Sequence, residues 1–265
     1  MSRHRLKSDA TTVCSKKGRT EAVDLGIMPY FERWGVTIYH GDCREVLPQL
    51  APESVDFVFT DPPYLVGFTG RFDSKHEAIV GDTDPGWLEP AFREVFRVLK
   101  ADALCASFYG WPHADLFLGT WKAIGFRPVS HLTFVKRVWG LGRFTRSQHE
   151  TAYLLAKGRP RAPAEAVSDT IEWERERDAV HPNQKPVGAL LPLVVAYTTE
   201  RQLVLDPFMG SGSTLRAAKD AGCRAVGVEI EERYCEVAAR RMEQEVLFPV
   251  ARRVVASSPS LFPDE

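Results

Sequence analysis

Val55-Asp56-Phe57-Val58-Phe59-Thr60-Asp61-Pro62-Pro63-Tyr64 is the stretch on which the reading of this chain turns. Its first six residues form an apolar run of strand length, and the acidic residue and two prolines that follow end that strand abruptly. A second apolar run, Leu203-Val204-Leu205, breaks in the same manner into Asp206-Pro207-Phe208-Met209-Gly210-Ser211-Gly212. Polar loops at the carboxyl ends of buried strands are where open α/β sheets place their ligands.

Working outward, strands and helices alternate from Trp34 onward. Val36–Tyr39, Ala103–Tyr109, His131–Lys136, Thr151–Ala156 and Ala225–Val228 read as further strands. Trp87–Leu99, Pro112–Ile124, Pro186–Thr198, Ser213–Ala221 and Glu231–Gln244 carry helical spacing. Such alternation predicts an α/β fold, a doubly wound and mostly parallel sheet in a single domain with helices on both faces. The segment 158–182 lacks periodicity and reads as an inserted loop or short helix. Residues 1–27 carry Arg3, Arg5, Lys7, Lys16, Lys17 and Arg19 with few apolar residues, a composition that predicts a mobile basic arm. The expected domain then covers 28–246, with a catalytic half at 34–157, the insertion, a second half at 183–246 and a tail at 247–265.

At 265 residues and 44% hydrophobic content the chain holds one substantial core. Its net charge of −1 leaves a polyanion to be met by a local patch rather than by the whole molecule. Cys14, Cys43, Cys105, Cys223 and Cys235 are scattered without a C-x-x-C pair, which argues against a disulfide framework and a zinc ribbon and fits a reducing cytoplasm. His149-Glu150 does not begin a zinc-protease motif, because Tyr153 stands where a second His is needed. No metal site is expected.

Asp61-Pro62-Pro63-Tyr64 and Phe208-Met209-Gly210-Ser211-Gly212 together resemble the amino-group DNA methyltransferases, with their D/N/S-P-P-Y catalytic loop and F-x-G-x-G loop. The catalytic loop comes first and the glycine loop follows 145 positions later. That order is similar to the permuted β-group of adenine-N6 and cytosine-N4 enzymes, whereas RNA and protein amino methyltransferases usually run the other way. The resemblance implies a permuted, Rossmann-like methyltransferase fold and S-adenosyl-L-methionine as cofactor.

For the cofactor, Gly210, Ser211, Gly212, Ser213 and Thr214 sit between a strand and a helix, where bare amides face a ligand. A phosphate loop is excluded, since Gly212-Ser213-Thr214 lacks the required Lys. Asp206, Pro207 and Phe208 complete this loop. Glu229, at the end of the next strand with Ile230 beside it, is the expected ribose ligand. Tyr39-His40-Gly41-Asp42-Cys43 resembles the family's G-D motif, which would set Asp42 against the cofactor adenine beside Cys43; a helix cap is the other reading of Asp42. His181-Pro182-Asn183-Gln184-Lys185-Pro186 resembles the family's H-P-x-Q-K-P motif, which implies Lys185 against the methionine carboxylate with Asn183 and Gln184 nearby.

For the reaction, an exocyclic base amine is a poor nucleophile because its lone pair is delocalised into the ring. Acceptors on its two hydrogens, the Asp61 carboxylate (itself also beside the cofactor) and the Pro62 carbonyl, would free that pair, and Tyr64 would stack on a base flipped from double-stranded DNA. Asp61 points to adenine-N6 rather than cytosine-N4, since S-P-P-Y is the commoner cytosine form. The other readings are cytosine-N4 methylation and a non-catalytic S-adenosylmethionine- or DNA-binding subunit.

Lys136, Arg137, Arg143, Arg146, Lys157, Arg159 and Arg161, with Trp139 and Phe144 between them, form a stretch suited to phosphate contact and stacking. The loop 65–82 reads as a lid. Sequence-specific relatives usually carry a longer recognition insertion than 158–182, so this protein is expected to read few bases, to use the 65–82 loop, or to act as a homodimer. Gln244-Glu245-Val246-Leu247-Phe248 is similar to the Q-x-x-L-F peptide of sliding-clamp partners, although a helix end followed by apolar packing accounts for so short a pattern more simply.

Overall fold

The computed structural model describes residues 28–67, 81–138, 140, 143–174 and 184–244. The N-terminal arm, most of the 65–82 loop, Trp139, Asn183 and nearly all of the clamp-like peptide lie outside the described residues.

In chain order the elements are β1 (Phe31–Arg33), β2 (Val36–His40), α1 (Cys43–Val46), β3 (Val55–Thr60), α2 (Leu88–Val98), β4 (Leu99–Phe108), α3 (Ala114–Ile124), β5 (Arg127–Lys136), β6 (His149–Lys157), β7 (Thr170–Trp173), α4 (Val187–Tyr197), β8 (Leu203–Asp206), α5 (Ser213–Asp220), β9 (Arg224–Glu229) and α6 (Glu232–Glu243). The strands form one sheet in the order β1-β2-β9-β8-β3-β4-β6-β5-β7. From β2 to β4 every neighbour is parallel, whereas β6 runs antiparallel between β4 and β5. This is the expected α/β sheet, mostly parallel in one domain.

Alternation along the strands sorts the core into two layers. Phe57 and Phe59 of β3, Val36 and Ile38 of β2, and Val204 of β8 pack under α4, α5 and α6. Val58, Tyr39 and Leu205 point the other way, under α1, α2 and α3. The sheet is therefore covered on both faces, which is why its central strands are mostly apolar on both sides, with Asp56 near the start of β3 partly exposed and paired with Lys100.

Two strands depart from the sequence reading. β1 is only three residues long and pairs antiparallel with the edge of β2, too short to show a period. The segment 158–182, expected as a loop or short helix, contributes β7, parallel to β5 with Lys136 opposite Trp173. Ile171 and Trp173 are buried while Thr170 and Glu172 are exposed, so the strand's alternation is real but spans only four residues. No helix among the described residues is long and apolar enough to cross a membrane.

Phe57 has no solvent exposure and packs on Phe59 and on Tyr197 of α4, with ring centroids 6.0 and 5.7 Å away. Phe57→Ala should lower unfolding free energy by about 3–5 kcal/mol, read as a drop in urea midpoint with little change in slope.

Candidate active site

The expected catalytic loop, Asp61–Tyr64, leaves β3 at the carboxyl edge of the sheet, between β8 and β4. Pro62 is buried and Asp61, Pro63 and Tyr64 are partly exposed. Leu65 then takes φ of 61°, a left-handed conformation costly for a side chain of its size, so the turn is held by its surroundings. Gly110, just beyond β4, supplies part of that hold. A Cβ there would lie 2.2 Å from the Tyr64 carbonyl oxygen, so only glycine lets the loop pack this close.

Around Asp61 the structure gathers a chain of charges from four parts of the sequence. Tyr64 Oη donates to Asp61 Oδ1 at 2.7 Å and lies 3.2 Å from Glu150 Oε2. Lys185 Nζ is ion-paired with Asp61 Oδ2 and with Glu150 Oε2, the latter at 3.1 Å. Lys136 is paired with the second oxygen of Glu150. Lys185 is only 7% exposed and is walled by the rings of Phe108, Tyr64 and Trp173 at 4.8, 5.4 and 5.7 Å. Lys136 lies against the same Trp173 ring at 4.7 Å.

The protonation states follow from that packing. Burial pushes the Asp61 carboxyl up, with Glu150 adding to the rise and Lys185 opposing it. Burial would raise Glu150 too, but Lys185 and Lys136 together overcome it and hold the group at about 2. Desolvation works against the Lys185 cation, yet its two carboxylate partners keep it charged. Burial and the neighbouring carboxylates drive Tyr64 far above the ordinary phenol, so its hydroxyl remains a donor.

The glycine loop follows β8, the strand beside β3. Asp206 is 2% exposed and faces inward, its Oδ1 accepting from Thr60 Oγ1 at 2.9 Å and from the Phe208 amide at 3.1 Å. It therefore ties the two loops together from beneath. Burial pushes its carboxyl up to about 7. Pro207, Ser211, Gly212, Ser213 and Thr214 are buried, and Phe208 meets Trp87 edge-on at 5.1 Å. Gly210 and Gly212 have φ of 50° and 79°; a Cβ on Gly212 would strike Ala238 of α6 at 2.8 Å, whereas one on Gly210 would meet nothing within 4 Å. The loop is thus pressed onto α6 at one glycine and open at the other. Arg241 of α6 braces it, donating to the Ser211 carbonyl and Ser213 Oγ.

Glu229 ends β9 beside this loop, its carboxylate accepting from the Gly210 amide at 2.9 Å and the Glu231 amide at 2.8 Å. Burial raises its carboxyl against the pull of those amides. Ile230 is exposed next to it, and its carbonyl meets His40 Nε2 at 3.1 Å. Asp42 caps α1 through the Arg44 amide at 2.8 Å and pairs with the Arg44 guanidinium, which holds its carboxyl below the usual range. The helix-cap reading of Asp42 thus describes its contacts. Cys43 is buried, its thiol pushed up to about 12. Gln184 Oε1 lies 3.4 Å from Ser211 Oγ, but Lys185 turns to the catalytic loop.

The basic stretch divides. Arg137, Arg143 and Arg146 are exposed on the β5–β6 connection, at the same sheet edge as the catalytic loop; Arg137 pairs with Glu174, and Arg143 stacks over Phe144, which is 91% exposed. Lys157, at the far end of the nine-residue β6, donates to the carbonyls of Phe96 and Leu99. Strand rise separates the two ends by roughly 27 Å, so Lys157, Arg159 and Arg161 do not share a face with the others. Sequence proximity had merged two surfaces.

A DNA methylase family model, of N6/N4 methyltransferases, matches residues 55–240. The chain belongs to this DNA methylase family. It is 44% identical over 202 residues to YubD of Escherichia coli (strain K12), covering 76% of this chain and 88% of YubD. It resembles TTHA0409 of Thermus thermophilus, solved with S-adenosyl-L-methionine, at 25% identity and TM-score 0.57 over 79% of this chain and 95% of that one. The PvuII DNA methyltransferase (cytosine-N4-specific) shares the fold at TM-score 0.70 and 16% identity, over 84% and 92% of the two chains.

For a DNA methylase, three residues here escaped the sequence reading. Glu150 was passed over beside the exposed His149, since strand alternation alone does not say which of the two turns inward. Trp173 sat in a segment without recognised periodicity. Gly110 had only its position after an apolar strand to mark it. Gly110→Ala should displace Tyr64 and lower methylation about 100-fold while leaving thermal stability within a few degrees, read by methyl incorporation and calorimetry. The raised Asp206 carboxyl contributes stability that is full below about pH 4 and is lost as pH rises through about 7. Asp206→Asn should remove that component, closing a gap on the order of 3 kcal/mol between pH 4 and 8 in urea titrations.

Proposed function

We propose that this DNA methyltransferase transfers a methyl group from S-adenosylmethionine to the exocyclic N6 of an adenine flipped out of duplex DNA. The observation that carries the reading is the Asp61 carboxylate with Tyr64 at the end of β3, one strand from the glycine loop after β8. The open side of Gly210, the amides at the start of α5 and the Glu229 carboxylate suit a ligand with a carboxylate and a ribose. Gly210–Thr214, with Phe208, Glu229 and Ile230, would hold it, flanked by Gln184 and Asp42. When bound, the cofactor supplies an electrophilic methyl on a sulfonium.

Asp61 and the Pro62 carbonyl accept the two hydrogens of the target amine. Its nitrogen lone pair then forms the new N–C bond, while the electron pair of the breaking C–S bond stays on sulfur. The aminium formed loses one proton to Asp61 or to water, so the base remains neutral. Tyr64 offers its ring to the extruded base. Arg137, Arg143 and Arg146, with Trp139 on the same connection, are the proposed phosphate and stacking contacts. Adenine is preferred over cytosine because the loop begins with Asp rather than Ser.

Wild type and Asp61→Ala incubated with S-adenosylmethionine and mixed-sequence duplex DNA, then digested to nucleosides, test the reading by mass. N6-methyladenine should form with wild type and fall at least 100-fold with Asp61→Ala. N4-methylcytosine would keep the mechanism and change the base; a fully active Asp61→Ala would overturn the mechanism.

A further inference from the structure

In the free protein both oxygens of the catalytic carboxylate are occupied. Tyr64 donates to Asp61 Oδ1 and Lys185 to Asp61 Oδ2. An amine that takes Asp61 as its acceptor competes with these donors for the carboxylate lone pairs, and a donor that gives way needs another acceptor. Each has the same second acceptor within reach: Glu150 Oε2 lies 3.2 Å from Tyr64 Oη and 3.1 Å from Lys185 Nζ.

We infer that Glu150 is a positioning residue for methyl transfer, the acceptor to which Tyr64 and Lys185 move when the target amine engages Asp61. The inference rests on the functional reading above. Glu150 stands at the start of β6, opposite Phe134 of β5, and its other oxygen is anchored by Lys136, so it stays in place while its neighbours shift. An ammonium has three donors and can move between carboxylates without leaving its aromatic walls. Glu150 and Lys136 add no net charge, which leaves the Asp61–Lys185 pair balanced before and after the move.

The groups facing Asp61 are Tyr64 on its own loop, Lys185 ahead of α4, Glu150 on β6 with Lys136 behind it on β5, and Asp206 on β8. Glu150→Gln removes a negative neighbour and leaves Lys185 wholly to Asp61, so the Asp61 midpoint should fall by about one unit. Lys136→Gln strips Glu150 of its outer partner and draws Lys185 toward it, so the midpoint should rise. A residue that only packed beside Asp61 would leave this midpoint unmoved.

Selectively ¹³C-carboxyl-labelled aspartate, followed by NMR from pH 4 to 9 in the wild type, Glu150→Gln and Lys136→Gln, reads that midpoint whether or not the protein methylates DNA. The methylation assay on the same three proteins should show Glu150→Gln losing kcat about 10- to 100-fold, with its acidic limb displaced downward and KM for S-adenosylmethionine unchanged. Lys136→Gln is the second variant, since its side chain is partly exposed and its loss does not leave a fully buried charge. An Asp61 midpoint unmoved in both variants, or moved in the same direction in both, overturns the inference, as does a Glu150→Gln protein with wild-type kcat. A wild type that methylates no base overturns the functional reading instead.

Discussion

Thr60 and Asp206 lie on neighbouring parallel strands and share one buried hydrogen bond, and the site depends on it. Thr60 is the last residue of β3, directly before Asp61, and Asp206 is the last of β8, directly before the glycine loop. One contact therefore sets the height of two loops that are 145 positions apart in the chain. Methyl transfer demands that two reacting atoms meet within about 3–3.5 Å, a tolerance that loops on separate supports would not keep. The buried carboxyl of Asp206 also serves the Phe208 amide, so one acceptor orders both the end of β3 and the glycine loop.

Above this tie lies a run of alternating charges, Asp61, Lys185, Glu150 and Lys136, enclosed by Tyr64, Phe108 and Trp173. Charges taken out of water are tolerated when each has a partner of opposite sign, and removing one partner leaves the other exposed to the full desolvation cost. The same arrangement that keeps them charged makes their states interdependent. Asp61 rises because burial outweighs a cation it shares with Glu150, and Glu150 falls because two cations outweigh its burial. The aromatic walls shield Lys185, the least exposed of the four, and strengthen its two ion pairs.

The edge of the sheet collects the remaining parts. β6 enters antiparallel beside β4, so its first residues, with the end of β5 and β7, reach the same rim as the loops after β3 and β8. This reversal brings Glu150, Lys136 and Trp173 to the Asp61 carboxylate and its Lys185 partner. It also carries the exposed arginines of the β5–β6 connection to that rim.

Much of this was legible in the residues alone. The apolar runs at β3 and β8, each cut short by an acid and a proline, announced both loops and the parallel sheet, because strands buried on two faces need uninterrupted hydrophobic sequence. The glycine loop was legible because few residues other than glycine accept its backbone. Which side of β6 turned inward was not, since His149 and Glu150 are adjacent and a one-residue register change exchanges their faces. In the sequence Lys185 belongs to the segment expected at the cofactor; only its three-dimensional neighbours, Asp61 and Glu150, set it against the other loop. The split of the basic stretch had the same cause, for a strand carries residues close in sequence to opposite ends of the sheet. Local chemistry determined the strands, the loops and the candidate acceptor; only the pairing of distant strands decided which charges meet, because a long-range contact has no signature in either of the segments that make it.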